Sequence, residues 1–188
     1  LQPGRRMVMI GGGFIGLEVA ASARSRGCEV TVIEAAPRIL MRGVPAELAQ
    51  RVEARHREAG VVFKVAATIV KLTPAPSGRG YHLSLSDGSE VECDVIIAGI
   101  GAVPETSLAE GCGLAIDNGI AVDGTLRTSD PHIYAIGDCC SFPHPLYGGK
   151  RIRLESWRNA VDQGMHVAGN LLGADEPYAV APWFWSDQ

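Results

Sequence analysis

Three glycines, Gly11, Gly13 and Gly16, fall at G-x-G-x-x-G spacing, and an acid, Glu34, follows about 20 residues later. At the first position glycine permits a tight turn. At the second it lets backbone approach a pyrophosphate with no Cβ in the way, and at the third it lets a helix pack close to a sheet. A carboxylate at the position of Glu34 can accept both hydroxyls of an adenosine ribose and repels a 2′-phosphate. The chemistry implied is the holding of NAD(H), although nearby Arg38 leaves NADP(H) open. Glu18 is a further candidate, because a carboxylate within FIGLEVAA is costly to bury without a partner. Phe14 lies four residues before it, so on a helix both project from one face.

These residues need a strand, a turn, a helix and a second strand to position them. Met7 to Ile10 reads as the first strand, a helical pattern runs to about Arg26, and Glu29 to Ile33 forms a strand ending on Glu34. Ala35 to Val44 is turn-rich; Pro45 then opens a helix that Gly60 stops. Val61 to Val65 is a third parallel strand. Period-two segments at Thr68 to Leu72, Tyr81 to Ser86 and Glu90 to Glu92, separated by SGRG and SDGS, predict a β-meander as the long crossover. Asp94 to Ala98 returns to the sheet and meets a second glycine turn at Gly99, Gly101 and Pro104, followed by a helical turn over Glu105 to Glu110. The fold class is α/β, with a Rossmann-like parallel sheet.

From Cys112 the organisation changes. Ile116 to Val122 carries a hairpin signal at Asp117-Asn118-Gly119. Thr128 opens TSDPHIYAIGD, with a short strand at Ile133 to Ile136 before Gly137-Asp138. Phe142 to Lys150 reads as a Pro/Gly/His loop, and an amphipathic helix runs from about Ser156 to Leu172. The terminal APWFWSDQ reads as extended and carries Trp183 and Trp185.

The balance of 17 Lys+Arg against 21 Asp+Glu, with no basic run, gives no sign of a nucleic-acid partner or an anionic membrane surface. No apolar stretch approaches the roughly 20 residues of a membrane span, so a cytoplasmic chain is expected. The five cysteines show no metal spacing and read as reduced thiols, so no metal site is expected.

The ordered motifs GGGFIGLE, VTVIE, AGIGAVPE, TSDPHIYAIGDC, RLESWRNA and PWFWSDQ resemble the FAD-dependent pyridine-nucleotide oxidoreductases, and within them the ferredoxin and rubredoxin reductases. The resemblance covers essentially the whole chain. It implies an NAD domain at residues 1–122 and the C-terminal half of an FAD-binding domain at 123–188, the middle of an enzyme without its first FAD-binding segment or its interface domain. It further implies that Phe14 is a gating aromatic over the flavin, a core aromatic being the plain alternative. By the same resemblance Glu18 orients the nicotinamide carboxamide, usually paired with a lysine of the FAD domain that this chain lacks. Gly101 would bring backbone near the nicotinamide ribose, and Glu105 departs from the asparagine often found there. Asp138 would accept an FAD ribityl hydroxyl, with Thr128 anchoring the same element. Glu155, Ser156 and Trp157 would begin a helix aimed at the flavin N1 and O2 edge, with Trp157 either beside the docked partner or a plain interface hydrophobe.

The implied function is hydride transfer from NADH to FAD, then electrons to a 2Fe-2S ferredoxin or a rubredoxin. The alternatives are an NADH oxidase or peroxidase, a nitrite reductase subunit, and a non-catalytic NAD-binding redox sensor.

Overall fold

The computed structural model describes residues 2–76 and 78–188. Leu1 and Ser77, the latter heading the SGRG turn, lie outside the described residues. The chain divides into two compact units, one of residues up to Gly101 together with Ser186–Gln188, the other of Ala102–Trp185.

In the first unit the order is β1 (Arg6–Ile10), α1 (Phe14–Ser25), β2 (Glu29–Glu34), α2 (Ala46–Glu58), β3 (Val61–Val65), β4 (Ile69–Pro74), β5 (Tyr81–Leu85), β6 (Glu90–Cys93) and β7 (Val95–Ala98). A four-stranded parallel sheet has the order β3-β2-β1-β7, and β4-β5-β6 form the antiparallel meander. The period of two along a strand assigns its two faces. Met7 and Met9 of β1, with Val30 and Val32 of β2, meet Leu17 and Ala20 of α1 and Ala49 of α2. Val8 and Ile33 belong to the opposite core, with Leu83 and Leu85 of β5 and Cys93 of β6. Covered on both faces, β1 is apolar from Met7 onwards, as a central parallel strand must be. On α1 the buried residues Gly16, Leu17, Ala20 and Ala23 make one stripe at helical spacing. Pro45 stands one residue ahead of α2, as its N-cap.

The second unit contains α3 (Ser107–Gly111), β8 (Ile120–Ala121), β9 (Cys140–His144), β10 (Lys150–Ile152) and α4 (Trp157–Leu171). Residues 102–122, grouped with the NAD domain in the sequence reading, lie here because β8 pairs in parallel with β9. The core gathers Val122, Leu126, Ala135, Cys140, Phe142, Val167 and Tyr178.

Several sequence expectations are corrected in this unit. Ile133 to Ile136 is no strand; it makes a single bridge, Arg127 to Tyr134, and Ile133 and Ile136 are each 39% exposed. Apolar character alone suggested a strand, but its backbone bonds are scattered turn contacts, Thr128 N to Ile133 O, Ile133 N to Asp130 O and Ala135 N to Leu126 O. Nor is Phe142 to Lys150 a loop, since β9 and β10 pair antiparallel across it. The polar composition hid a strand in which Cys140, Ser141, Phe142 and His144 are all buried. His144 is satisfied locally, accepting at Nδ1 from Leu146 N and donating at Nε2 to Val180 O. The predicted hairpin at Asp117 reduces to a tight turn, Asp117 N to Gly119 O, beside the bridge of Ile116 to Ile120. Ser156 is the N-cap of α4 rather than its first residue. No helix among the described residues is long and apolar enough to cross a membrane.

The meander is a packed layer on the sheet, which is testable. Leu83, 0% exposed, should cost about 2–5 kcal/mol when replaced by alanine. Val70, 64% exposed, should cost less than about 0.5 kcal/mol. Urea denaturation of Leu83→Ala and Val70→Ala measures both, and equal small losses would mean that the meander does not contribute to the core.

Candidate functional site

Each glycine of the first turn is there for a different reason. Gly11 has φ +103°, and a Cβ on it would lie 2.3 Å from the Gly99 carbonyl oxygen. A Cβ on Gly16 would lie 2.1 Å from the Gly11 oxygen. Both are therefore demanded by the crossing of β1, β7 and α1. Gly13 differs: φ is −81° and nothing lies within 4 Å of its Cβ position. The protein itself has no need of a glycine there, and the space ahead of α1 is open.

Gly13 is the N-cap of α1, no side chain caps that end, and its first turn holds no acidic residue. The partial positive charge of the helix end is thus left for an anion, and the absent Cβ allows close approach. A dinucleotide pyrophosphate fits both features.

Glu34 ends β2 with both carboxylate oxygens in use, Oε2 accepting from Gly12 N at 2.7 Å and Oε1 from Ala36 N at 2.7 Å. An ionised carboxylate offers about four lone-pair sites, so two remain for a ribose diol. Arg38 donates to the carbonyls of Ile39, Leu40 and Met41, bracing its own loop.

Phe14, half-buried at the start of α1, packs against the core under that loop; a Cβ on Gly43 would come within 3.1 Å of its ring. One turn on, the Glu18 Oε1 accepts from the Ser186 hydroxyl at 2.5 Å. Within this chain its partner is a neutral hydroxyl separated by 168 positions, with no signal in the sequence beyond the polar triplet after the aromatic run. Gly101 is exposed at φ +99° with its Cβ position open. Glu105 is occupied locally, where hydrogen bonds from the Ser107 side chain and backbone hold its carboxyl below the ordinary range.

In the second unit, Gly137–Cys139 form a short 3-10 turn, so Asp138 sits in a turn rather than at a strand end. Gly137 N donates to Gln163 Oε1 at 2.7 Å within the core. Arg153 Nη1 donates to the Asp138 carbonyl at 2.9 Å and to the Glu155 carboxylate, tying this turn to the start of α4. Neither Gln163 nor Arg153 stands out in the sequence, because their role depends on a fold contact. Asp138 itself is exposed. Thr128 is buried, its N donating to Ile133 O at 2.9 Å and its hydroxyl accepting from Asp130 N and donating to Asp130 O, both at 3.1 Å. Ser156 Oγ accepts from Asn159 N at 3.2 Å and so caps α4. Trp157, 69% exposed, meets Trp185 edge-on at 6.1 Å, and Arg158 lies 5.4 Å over the Trp183 ring.

A parallel sheet with an uncapped helix and glycine turn at the strand tips defines a dinucleotide-binding protein. The chain belongs to the pyridine nucleotide-disulphide oxidoreductase family, whose pattern it matches over residues 1–164. It is 46% identical to the ferredoxin–NAD(+) reductase component of the anthranilate 1,2-dioxygenase system of Burkholderia cepacia, over 98% of this chain and 45% of that protein. It is 45% identical to a rubredoxin–NAD(+) reductase of Pseudomonas putida, over 96% of this chain and 46% of that one. The structure of a covalent putidaredoxin reductase–putidaredoxin complex superposes with a TM-score of 0.93 at 39% identity, over 100% of this chain and 45% of its own. The chain thus spans about half the length of the curated relatives it matches.

Substitutions at the turn should separate structure from binding. Gly16→Ala should destabilise the fold by about 1–3 kcal/mol through overpacking. Gly13→Ala should stay within about 1 kcal/mol of the parent yet weaken NADH binding at least about tenfold. Thermal unfolding and NADH fluorescence titration read the two effects; a Gly13→Ala protein with unchanged affinity would remove the pyrophosphate from this turn.

Proposed function

We propose that the chain is the NADH-binding core and part of the flavin-binding region of an FAD-dependent reductase that serves a small 2Fe-2S ferredoxin or a rubredoxin in the cytoplasm. The observation that carries the coenzyme assignment is the Glu34 carboxylate, held by the amides of Gly12 and Ala36 beside an uncapped helix end. Glu34 orients the adenosine ribose, the Gly11 to Gly16 turn and α1 hold the pyrophosphate, and Gly101 leaves room for the second ribose. With Arg38 committed to its own loop, the only charge assigned to the ribose is negative, which supports NAD(H) over NADP(H). Glu18 orients the nicotinamide carboxamide and Phe14 covers the adjoining surface.

In the second unit Asp138 would hold the ribityl chain, with Gln163 and Arg153 fixing its turn and Thr128 bracing the loop before it. The start of α4, at Glu155, Ser156 and Trp157, presents its helix end to the flavin ring. Acceptance of a hydride and release of single electrons is the chemistry FAD supplies when bound. The relatives are named as ferredoxin and rubredoxin reductases, which supports the acceptor class. Thiol chemistry, as in a peroxidase, draws no support from Cys140. Cys140 is buried, which together with neighbouring Cys139 pushes its thiol up to about 12.

The 188-residue chain should bind NADH in calorimetry and purify without stoichiometric flavin, since it carries a single G-x-G-x-x-G turn. A yellow preparation would overturn that expectation. Glu34→Ala should lower NADH affinity by about 1–3 kcal/mol. Loss of the tether to Gly12 and Ala36 affects both coenzymes alike and cancels in a ratio. The NADH-to-NADPH affinity ratio should therefore fall at least about tenfold; an unchanged ratio would make Glu34 only a brace of the turn.

A further inference from the structure

The last three residues belong to the first unit, and they lie along α1. Ser186, Asp187 and Gln188 line one cleft with Ala21, Ser22 and Ser25. Those three helix positions follow Glu18 at i+3, i+4 and i+7, so all four share a face, and their small side chains leave room for the tail. Within that arrangement a chain of hydrogen bonds runs in one direction. His56 Nε2 meets Gln188 Oε1 at 3.3 Å, Gln188 Nε2 donates to Ser186 Oγ at 2.8 Å, and Ser186 Oγ donates to Glu18 Oε1 at 2.5 Å. With its hydroxyl oxygen accepting from Gln188, the Ser186 proton is directed to the carboxylate. The chain starts on a histidine of α2 that is 5% exposed, so its far end is fixed in the core.

We propose that Ser186, supported by Gln188, is a positioning residue for the nicotinamide subsite, acting through Glu18. The inference rests on the role given to Glu18 above. A glutamate has three side-chain torsions, and one left free on a helix surface must surrender them when a ligand arrives. Ser186 holds Oε1 beforehand and leaves Oε2 to accept from a carboxamide N–H, so binding meets a preorganised acceptor. A hydroxyl suits this task, because it donates one hydrogen bond to one oxygen and leaves the other oxygen to accept. Polarisation along the donor chain strengthens the final bond.

ADP-ribose shares the adenosine, pyrophosphate and ribose of NADH but has no nicotinamide, so the NADH-to-ADP-ribose affinity ratio of the 188-residue chain isolates this subsite. Ser186→Ala should lower the ratio about three- to tenfold, leave ADP-ribose binding within about twofold, and add nothing in a Glu18→Ala background. Ser186→Thr, which keeps the hydroxyl, should retain the ratio. If Glu18→Ala lowers the ratio while Ser186→Ala does not, the tail has no positioning role and the reading of Glu18 stands. If Glu18→Ala itself leaves the ratio unchanged, the role of Glu18 fails, and this inference with it. A Ser186→Ala protein that loses NADH and ADP-ribose equally would show a merely structural tether, which also overturns the proposal.

Discussion

Backbone meets backbone where β1, β7 and α1 converge, and the rest of the first unit depends on that approach. No side chain fits between the Gly11 carbonyl and Gly16, or between Gly11 and Gly99. Because the contact is so close, the N-terminus of α1 opens directly above the strand tips instead of a side chain's width away. The amide of Gly12, just ahead of the helix end, then meets the carboxylate of Glu34, which clasps the turn. Fold and site share one constraint, so a substitution that loosens the packing at Gly16 also moves the binding groups.

The same economy appears in how charge is handled. Glu34 and Glu18 both sit near buried surface, and each is held by donors that carry no full charge: backbone amides for one, a hydroxyl for the other. Neutral donors fix the direction of a carboxylate without adding a charge beside it. In the second unit Arg153 does the opposite. It neutralises Glu155 and grips the Asp138 carbonyl, so the turn is fixed by charge while the Asp138 side chain stays exposed.

Features set by local spacing were legible in the sequence. The glycine turn, the acid at the tip of β2 and all four parallel strands declare themselves because each is encoded within a few neighbouring residues. The β9–β10 pair was hidden, since His144 is buried through bonds to Leu146 and Val180 rather than through apolar character. Ile133 to Ile136 misled in the other direction, an apolar run that makes only one bridge. Ser186, Gln163 and Arg153 were out of reach for a common reason. Each acts through a contact that only the folded chain creates, and hydroxyl, amide and guanidinium side chains are too common elsewhere to mark themselves.

That the first unit is closed by Ser186–Gln188 bears on the order in which the protein can be made. Synthesis proceeds from the N-terminus, and domains generally fold as they emerge. The parallel sheet, its helices and the meander are all present once Gly101 has left the ribosome, and they can form their two cores then. Glu18 must wait while the whole of the second unit is translated before its serine appears. Closing so long a loop is less unfavourable than its length suggests, because the entropy rises only with the logarithm of loop size. The Ser186–Glu18 hydrogen bond can therefore form only after the rest of the first unit, and its presence marks a chain translated through both units.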